Sequence, residues 1–184
     1  MAAPAPRIEW LDETGSTNIE ARDRALAGER GPLWIAARRQ NAGRGRRGRA
    51  WQSLDGNLFA SGLYAFNRSP AQAAELSFVA ALAVAELCDI ALGDAARTRV
   101  KWPNDVLVDG RKVSGILLES GAAPAGGLWL AIGIGVNLAV APDDLDRPVT
   151  SLARAGGRLQ REAALEHLAA AFQRNVELWL RSGF

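Results

Sequence analysis

A run of arginines and glycines at residues 38–49 is the feature of this sequence best suited to chemistry. It holds six arginines and no acidic side chain, although the whole chain of 184 residues has a net charge of only +2. The remaining residues, at +2 less 6, are therefore negative by about four charges. Guanidinium groups donate paired hydrogen bonds to phosphate and carboxylate oxygens. Basicity confined to one segment predicts that an anionic group is bound at one place and not along a whole face.

Residues 43–48 within this run match G-x-G-x-x-G, the pattern of dinucleotide-binding loops. That loop needs a strand before it and a helix beginning at its end, where the helix N-terminus faces pyrophosphate. Here a loop continues to about Asn57, so we reject the dinucleotide interpretation, and the sequence contains no P-loop pattern either. Three interpretations remain: a loop that closes over a phosphorylated ligand, an arginine-rich arm that binds nucleic acid, and a solvated charge run.

A second group of polar residues lies between residues 99 and 119. Trp102-Pro-Asn-Asp105 places two polar side chains in a turn at a strand end, where binding groups are commonly displayed, although a plain turn is the alternative. Lys112 follows a predicted hairpin turn at Asp109-Gly110. Lys101 and Lys112 are the only lysines among 22 basic residues. A general bias toward arginine explains that scarcity as well as function does.

Two glycines interrupt the apolar segment at residues 131–137. Glycine weakens a strand and often marks the close approach of a ligand or of another backbone. Tight packing of a helix on the sheet is the alternative explanation for Gly133 and Gly135, but it leaves Asn137 unexplained.

The elements that must position these residues are predicted from hydrophobic periodicity and from helix and turn signals. We expect helices from Ser16 or Thr17 to Ala27, from Ser69 to about Leu92, and from Arg161 to Leu180. We expect strands at 8–11, 33–37, 58–66, 98–102, 106–110, 112–118 and 128–138. This order predicts an α+β fold, with a mixed, largely antiparallel sheet and helices packed on it.

Length and composition exclude several other classes of protein. With 48% hydrophobic and 23% charged residues, the chain is typical of one globular domain, which we take as 1–184. A single cysteine (Cys88) and a single histidine (His167) argue against disulfides, cysteine-rich metal sites and histidine-based nucleophiles. Residues 1–6 lack the features of a signal peptide, and the apolar runs are too short to span a membrane. We therefore expect a soluble, cytoplasmic protein.

Five segments, taken in order, closely resemble the biotin protein ligases (biotin–[acetyl-CoA-carboxylase] ligases). The resemblance covers about residues 8–180, and its arginine–glycine loop and Lys-Trp-Pro-Asn-Asp block are specific to that family in combination. It implies the catalytic fold that biotin and lipoate ligases share with class II aminoacyl-tRNA synthetases. The segments are Gly15-Ser-Thr-Asn18, Gln40-Asn-Ala-Gly-Arg-Gly-Arg-Arg-Gly-Arg49, Lys101-Trp-Pro-Asn-Asp105, Gly110-Arg-Lys-Val-Ser-Gly-Ile-Leu-Leu-Glu119 and Gly133-Ile-Gly-Val-Asn137.

The resemblance implies a ligase that forms a C–N bond in two steps. Biotin and ATP, with Mg²⁺, would give biotinyl-5′-AMP and pyrophosphate, and the biotinyl group would then pass to a lysine of a biotin carboxyl carrier protein domain. The first step brings a carboxylate to a phosphate, so it needs cations and no side-chain nucleophile. The composition of this chain agrees, because it is rich in arginine and lacks nucleophile–base pairs.

The resemblance also implies roles for individual residues. Lys112 and Arg46 are the expected catalytic groups at the carboxylate and the α-phosphate. Asp105 is the expected Mg²⁺ ligand and a candidate base for the carrier lysine. The expected biotin-binding residues are Ser16, Thr17, Asn18, Gln40, Arg44, Gly45, Arg46 and Lys112. The expected ATP-binding residues are Arg46, Arg49, Trp51 (against adenine), Lys101, Asn104, Asp105, Lys112 and Asn137.

Two departures from the family pattern and three alternatives complete the sequence prediction. About seven residues precede the first strand, so we expect no DNA-binding domain, and the sequence ends at Phe184, where most members continue into an SH3-like barrel. We expect a monomer or a homodimer. The alternatives are a lipoate ligase or lipoyl transferase, a nucleic-acid binder (disfavoured by the acidic run 143–146), and a biotin-binding protein without ligase activity.

Overall fold

A computed structural model describes residues 6–143 and 147–183 of the chain. Two sequence interpretations therefore fall partly outside the described residues. One is the lack of a signal peptide at residues 1–6, and the other is the acidic run at 143–146.

Seven strands in the described part of the chain form one sheet, in the order β1-β2-β3-β7-β6-β5-β4. β1 and β2 are parallel, and every other neighbouring pair is antiparallel. The predicted mixed, largely antiparallel sheet is confirmed. The strands are β1 (Arg7–Thr14), β2 (Leu33–Gln40), β3 (Leu58–Phe66), β4 (Thr98–Lys101), β5 (Asp105–Val108), β6 (Arg111–Ala122) and β7 (Leu128–Val136).

Helices cover both faces of this sheet. They are α1 (Thr17–Leu26), α2 (Pro70–Ala74), α3 (Leu76–Leu92) and α4 (Arg161–Ser182). α3 and α4 pack together over one face in the main core, whereas α1 packs against β2, β3 and β7 in a second, smaller core. Side chains alternate along β7 accordingly, with Leu130 and Ile132 in the main core and Trp129 and Ala131 facing α1.

The predicted helix from Ser69 to Leu92 is divided into α2 and α3. Ser69 forms a capping box with Gln72, and Pro70 occupies the first turn, as expected of a helix start. At Glu75 the backbone N–H bonds to the Gln72 carbonyl three residues back, which tightens the turn and separates the helices. The Glu75 carboxylate also accepts a hydrogen bond from Trp179 Nε1 at 2.7 Å, so the junction is tied to α4.

The parallel pair β1–β2 determines where the polar residues of α1 lie. α1 connects the two strands, and its first residues follow the end of β1, where Thr14 is paired with Gln40 at the end of β2. The chain beyond β2 stays attached there, because Ala42 N–H bonds to the Gly15 carbonyl at 2.8 Å. The start of α1 and the start of the arginine–glycine loop therefore share one edge of the sheet.

No helix within residues 6–143 or 147–183 has the length and apolar character needed to cross a lipid bilayer.

Candidate functional site

A cavity of about 260 Å³ opens on the α1 face of the sheet and is lined by residues from all five of the segments that carry the family resemblance. Of the predicted site residues, twelve line it: Ser16, Thr17, Asn18, Gln40, Arg44, Gly45, Arg46, Arg49, Trp51, Asn104, Asp105 and Lys112. Lys101 and Asn137 are not among the lining residues.

One end of the cavity is formed by the start of α1. Ser16 occupies the N-cap position with an extended backbone, as predicted, but its hydroxyl makes no capping hydrogen bond. Ser16 is nevertheless buried, at 4% exposure, and lines the cavity. Because the described residues satisfy this hydroxyl neither by capping nor by another side chain, it is available to a ligand.

Buried polar side chains form a network beside Ser16. Gln40 Oε1 accepts a hydrogen bond from the backbone N–H of Thr17 at 2.8 Å and lies 3.1 Å from Thr17 Oγ1. Ser61 Oγ lies 2.7 Å from Thr17 Oγ1 and 2.6 Å from Asn18 Oδ1. Asn18 Nδ2 donates to Glu119 Oε2 at 2.6 Å. Such a network holds the side chains around the cavity in fixed orientations.

The glycines of β7 make room for this network. A Cβ atom at Gly133 would lie 2.4 Å from Asn18 Oδ1, so only glycine allows Asn18 to lie against the strand. At Gly133 the structure shows the alternative explanation, tight packing of a helix on the sheet, because the approaching group is a side chain of α1.

The arginine–glycine loop is a small hairpin over the cavity. Arg44 bridges Ala50, Gly45 N–H bonds to the Arg49 carbonyl at 2.7 Å, and Trp51 N–H bonds to the Gly43 carbonyl at 2.9 Å. At the tip, Arg47 has a left-handed φ of 59°, a conformation that is uncommon for a residue with a side chain.

Few contacts attach the tip of this loop to the rest of the site. Arg46 Nη1 lies 3.3 Å from Asn104 Oδ1, which links the loop to the turn between β4 and β5. The side chains of the loop arginines are exposed, so their charges face the cavity mouth and solvent.

Trp51, where the loop returns to the sheet, rests on two glycines. Cβ atoms at Gly115 and Gly135 would lie 2.8 and 2.4 Å from its ring. The ring is thus in contact with the sheet backbone and forms part of the cavity wall. Its Nε1 is buried, and no acceptor for it occurs among the described residues.

Lys112 and Asp105 form an ion pair at the centre of the site. The pair is short, and the Lys112 side chain is only 9% exposed. Burial lowers the pKa of the Lys112 amine, Asp105 opposes that effect, and the nearby cations Arg147 and Arg49 lower the pKa further. The site therefore holds a desolvated cation that one carboxylate stabilises.

A β-bulge brings Lys112 into this position. Val106 pairs with Ser114 but Leu107 pairs with Lys112, so Val113 is the extra residue on β6. Val113 is buried in the main core, while Lys112 joins Gly115 on the cavity side. Lys112 and Gly115 are three residues apart, so they would lie on opposite faces of a regular strand. The bulge places both on the cavity side.

Asn137 does not line the cavity but bonds to the segment that pairs with Lys112. Its Nδ2 donates to the Thr150 carbonyl at 3.1 Å, and Thr150 N–H bonds to the Lys112 carbonyl at 2.8 Å. Lys112 N–H bonds in turn to the Pro148 carbonyl at 3.0 Å. Asn137 therefore fixes the segment that runs beside Lys112. Lys101 is exposed at the end of β4.

Several residues of the site were not predicted from the sequence, among them Arg47, which also lines the cavity. Arg147, which follows the acidic run and was given no role, lines the cavity because the segment 147–150 pairs with Lys112. Ser61, in a predicted strand, and Glu119, at the end of a segment that carries the family resemblance, were given no role in the site, although both bond to α1 side chains. Their alternation on the α1 face of β3 and β6 was the available signal.

Comparison with known proteins relates this geometry to a family. Residues 12–138 match the model of the biotin/lipoate A/B protein ligase family. A biotin–[acetyl-CoA-carboxylase] ligase from Paracoccus denitrificans is 46% identical over 170 residues, which are 89% of this chain and 70% of that protein. Several other curated relatives are matched over about 55% of their length.

Solved structures give the same relationship. A Leishmania major biotin protein ligase in complex with biotinyl-5-AMP superposes with a TM-score of 0.81 at 28% identity, covering 98% of this chain and 80% of that chain. An Aquifex aeolicus biotin protein ligase in complex with biotin and ATP gives a TM-score of 0.78 at 30% identity, covering 96% and 72%.

Proposed function

The chain belongs to the biotin/lipoate A/B protein ligase family, and we propose that it activates biotin with ATP and transfers it to a lysine of a biotin carboxyl carrier protein domain. One observation carries the proposal: a single cavity brings the buried Lys112–Asp105 pair, the arginine loop and the uncapped start of α1 together. These are the groups that a molecule with a polar ring at one end and a carboxylate at the other requires.

The start of α1 is proposed to bind the ureido ring of biotin. That ring carries one carbonyl acceptor and two N–H donors. The free hydroxyl of Ser16 supplies a donor for the carbonyl, and the oxygens of Thr17 and Gln40 supply acceptors for the N–H groups. Asn18 orders this end of the cavity through Ser61 and Glu119.

Lys112 and Arg46 are proposed to act at the reacting groups. A carboxylate oxygen of biotin attacks the α-phosphorus of ATP, a P–O bond forms, and the bond to the pyrophosphate leaving group breaks. Lys112, held in a site of low exposure, stabilises the negative charge that the two reactants share in the transition state. Arg46 and Arg44 add cations from the loop, which closes over the anionic groups as it binds them.

The nucleotide is proposed to lie toward Trp51. Its ring provides an apolar surface for adenine, and Asn104 and Arg49 also line the cavity. Arg147 is proposed as an additional phosphate contact because it lines the cavity beside Lys112. Lys101 and Asn137 remain candidates from the resemblance, the former at longer range and the latter through the segment beside Lys112.

Magnesium is proposed to enter with the phosphates of ATP. Asp105 is the only acidic residue among those described as lining the cavity, and it is paired with Lys112. Among the described residues no group of three or more potential metal ligands occurs. The chain therefore suits an ion held mainly by phosphate oxygens, with Asp105 as its one protein carboxylate. When bound, the ion would neutralise phosphate charge.

The second step requires an amine from the carrier domain. The carrier lysine attacks the carbonyl carbon of biotinyl-5′-AMP, an amide bond forms and AMP leaves. Asp105 is proposed to accept the proton of that amine, since it is the one carboxylate among the described residues that line the cavity. A monomer or homodimer in the cytoplasm, where ATP is available, completes the proposal.

Biotin-dependent pyrophosphate release from ATP tests the proposed function. We expect release with biotin and none with lipoate as the control acid, followed by labelling of an added carrier domain. Release with lipoate alone would instead support the lipoate ligase alternative. Binding of biotin by calorimetry without pyrophosphate release would indicate a binding protein whose chemistry needs further residues.

A further inference from the structure

Four side-chain oxygens lie in a continuous row, the oxygen row, beneath the polar end of the cavity. They are Gln40 Oε1, Thr17 Oγ1, Ser61 Oγ and Asn18 Oδ1, with successive separations of 3.1, 2.7 and 2.6 Å. Thr17, Ser61 and Asn18 are all at least 96% buried. The contacts at 2.7 and 2.6 Å are short enough to require a hydrogen between the two oxygens.

Both ends of the oxygen row can only accept hydrogen bonds. Gln40 presents its oxygen, because the backbone N–H of Thr17 points at it from 2.8 Å. Asn18 presents its oxygen to Ser61, because its amide nitrogen faces two acceptors. These are the Leu117 carbonyl at 3.2 Å and the Glu119 carboxylate at 2.6 Å.

The oxygen row is consequently one hydrogen short. Three contacts lie between two terminal acceptors, and the hydroxyls of Thr17 and Ser61 supply only two hydrogens. The 2.6 Å contact to Asn18 needs a hydrogen most, and only Ser61 can supply it. Thr17 then donates to Ser61 across 2.7 Å. The contact left without a hydrogen is the longest one, at 3.1 Å, where Gln40 already accepts the Thr17 backbone N–H.

We infer that Glu119 is a positioning residue that makes the Thr17 hydroxyl an acceptor toward the cavity and so selects a ligand with an N–H group. Glu119 is not among the cavity-lining residues and acts through Asn18 and Ser61. With its hydrogen committed to Ser61, Thr17 presents lone pairs to the ligand. This rests on the proposed function for its ligand: the cyclic urea of biotin has N–H donors, whereas the dithiolane ring of lipoate has none.

Variants of Glu119 test the inference. We expect Glu119→Ala to raise the KM and the calorimetric Kd for biotin roughly tenfold, as loss of about one hydrogen bond implies. The KM for ATP should be unchanged. Glu119→Gln should restore biotin affinity, because its amide oxygen still accepts from Asn18 Nδ2. Glu75→Ala is the matched control, since Glu75 also accepts a side-chain N–H at 2.7 Å but lies beside α4.

Ser61→Ala removes one member of the oxygen row without changing a charge. We expect it to weaken biotin binding by a similar factor. The double variant Glu119→Ala/Ser61→Ala should bind biotin no more weakly than either single variant, because both substitutions act through the oxygen row. Additive effects, a wild-type KM for biotin in Glu119→Ala, or equal damage in Glu119→Gln would overturn the inference. Thermal unfolding of each variant confirms that the fold persists.

The two proposals fail in different ways. If the wild-type protein binds biotin but releases no pyrophosphate, the proposed function fails while calorimetry on the Glu119 variants still decides this inference. If the wild type is active and Glu119→Ala behaves identically, only the inference fails. Absence of biotin binding by the wild type would overturn both.

Discussion

The Nζ atom of Lys112 lies 5.6 Å from the centre of the Trp51 ring, on the side of the cavity where that ring rests on Gly115 and Gly135. An aromatic face at this distance attracts a cation, and Asp105 pairs with the same amine. Cation, ring and carboxylate therefore form one unit that holds a positive charge away from water. Replacement of any one of the three should therefore change the electrostatic environment of the other two.

Removal of the Lys112 amine tests the proposed stabilisation of the transition state. We expect Lys112→Ala to slow biotin-dependent pyrophosphate release about 100-fold or more, the usual cost of losing one preorganised electrostatic group. Arg99→Ala, which removes an exposed cation from the same sheet, is the control and should retain activity. Pyrophosphate release near the wild-type rate in Lys112→Ala would contradict the assignment.

Replacement of Asp105 should move the pH dependence in a defined direction. Asp105 raises the pKa of Lys112, whereas burial lowers it. In Asp105→Asn the pKa falls further below its ordinary value, so the amine loses its proton at a lower pH. The alkaline fall of kcat for pyrophosphate release should therefore begin at lower pH than in the wild type. The profile is measured at saturating Mg²⁺ and without carrier, and an unchanged alkaline limb would show that Lys112 does not depend on this pair.

Two glycines of β7 should have separable roles. In Gly133→Ala the new Cβ would lie 2.4 Å from Asn18 Oδ1, and in Gly135→Ala it would lie 2.4 Å from the Trp51 ring. Overpacking of this kind costs on the order of 1–3 kcal/mol. We expect Gly133→Ala to raise mainly the KM for biotin and Gly135→Ala mainly the KM for ATP. Each variant is the control for the other, and identical effects on both substrates would indicate general damage instead.

The arginine loop should become protected when ligands bind. Its four arginines at 44–49 are exposed and are cleavage sites for trypsin. Because biotin and ATP would bring anionic groups beneath the loop, we expect cleavage there to slow when both are added. Cleavage after Arg181, at the other end of the chain, should be unaffected and serves as the reference. An unchanged cleavage rate in the loop would count against its closure.

Cys88 should report on the folded state. It is fully buried in α3, and burial raises the pKa of its thiol to about 12. At pH 8 almost none of it is thiolate, so a thiol reagent should react only after unfolding. Titration of the reaction against denaturant then follows the stability of every variant described above. Rapid modification of the native protein would show that α3 opens locally.

The sequence predicted the elements well because each carries a local signal. The capping box at Ser69 and the Asp-Gly turn before β6 are examples, and both occur in the structure. The family motifs also identified twelve cavity residues correctly as neighbours. Long-range pairing has no such signal. The parallel alignment of β1 with β2, which brings Gln40 to Thr17, depends on packing across the sheet.

The residues that were missed have the same explanation. Arg147 reaches the site through backbone pairing with Lys112, and Val113 is the bulge residue that turns Lys112 toward the cavity. Neither effect is visible in hydrophobic periodicity, because a bulge and an irregular segment both break the period. Ser61 and Glu119 were not predicted as site residues, because their role depends on the packing of α1 over β3 and β6.

The contrast between buried Lys112 and exposed Lys101 has a consequence for the chain as a reactant. The biotinyl-5′-AMP that we propose is a mixed anhydride that acylates primary amines, and any that escapes the cavity meets the surface of the protein that made it. That surface carries arginine in place of nearly all lysine, and guanidinium groups, which stay protonated, do not compete as nucleophiles. Lys101 is the single exposed lysine side chain, so we expect the protein to offer its own product few sites for acylation.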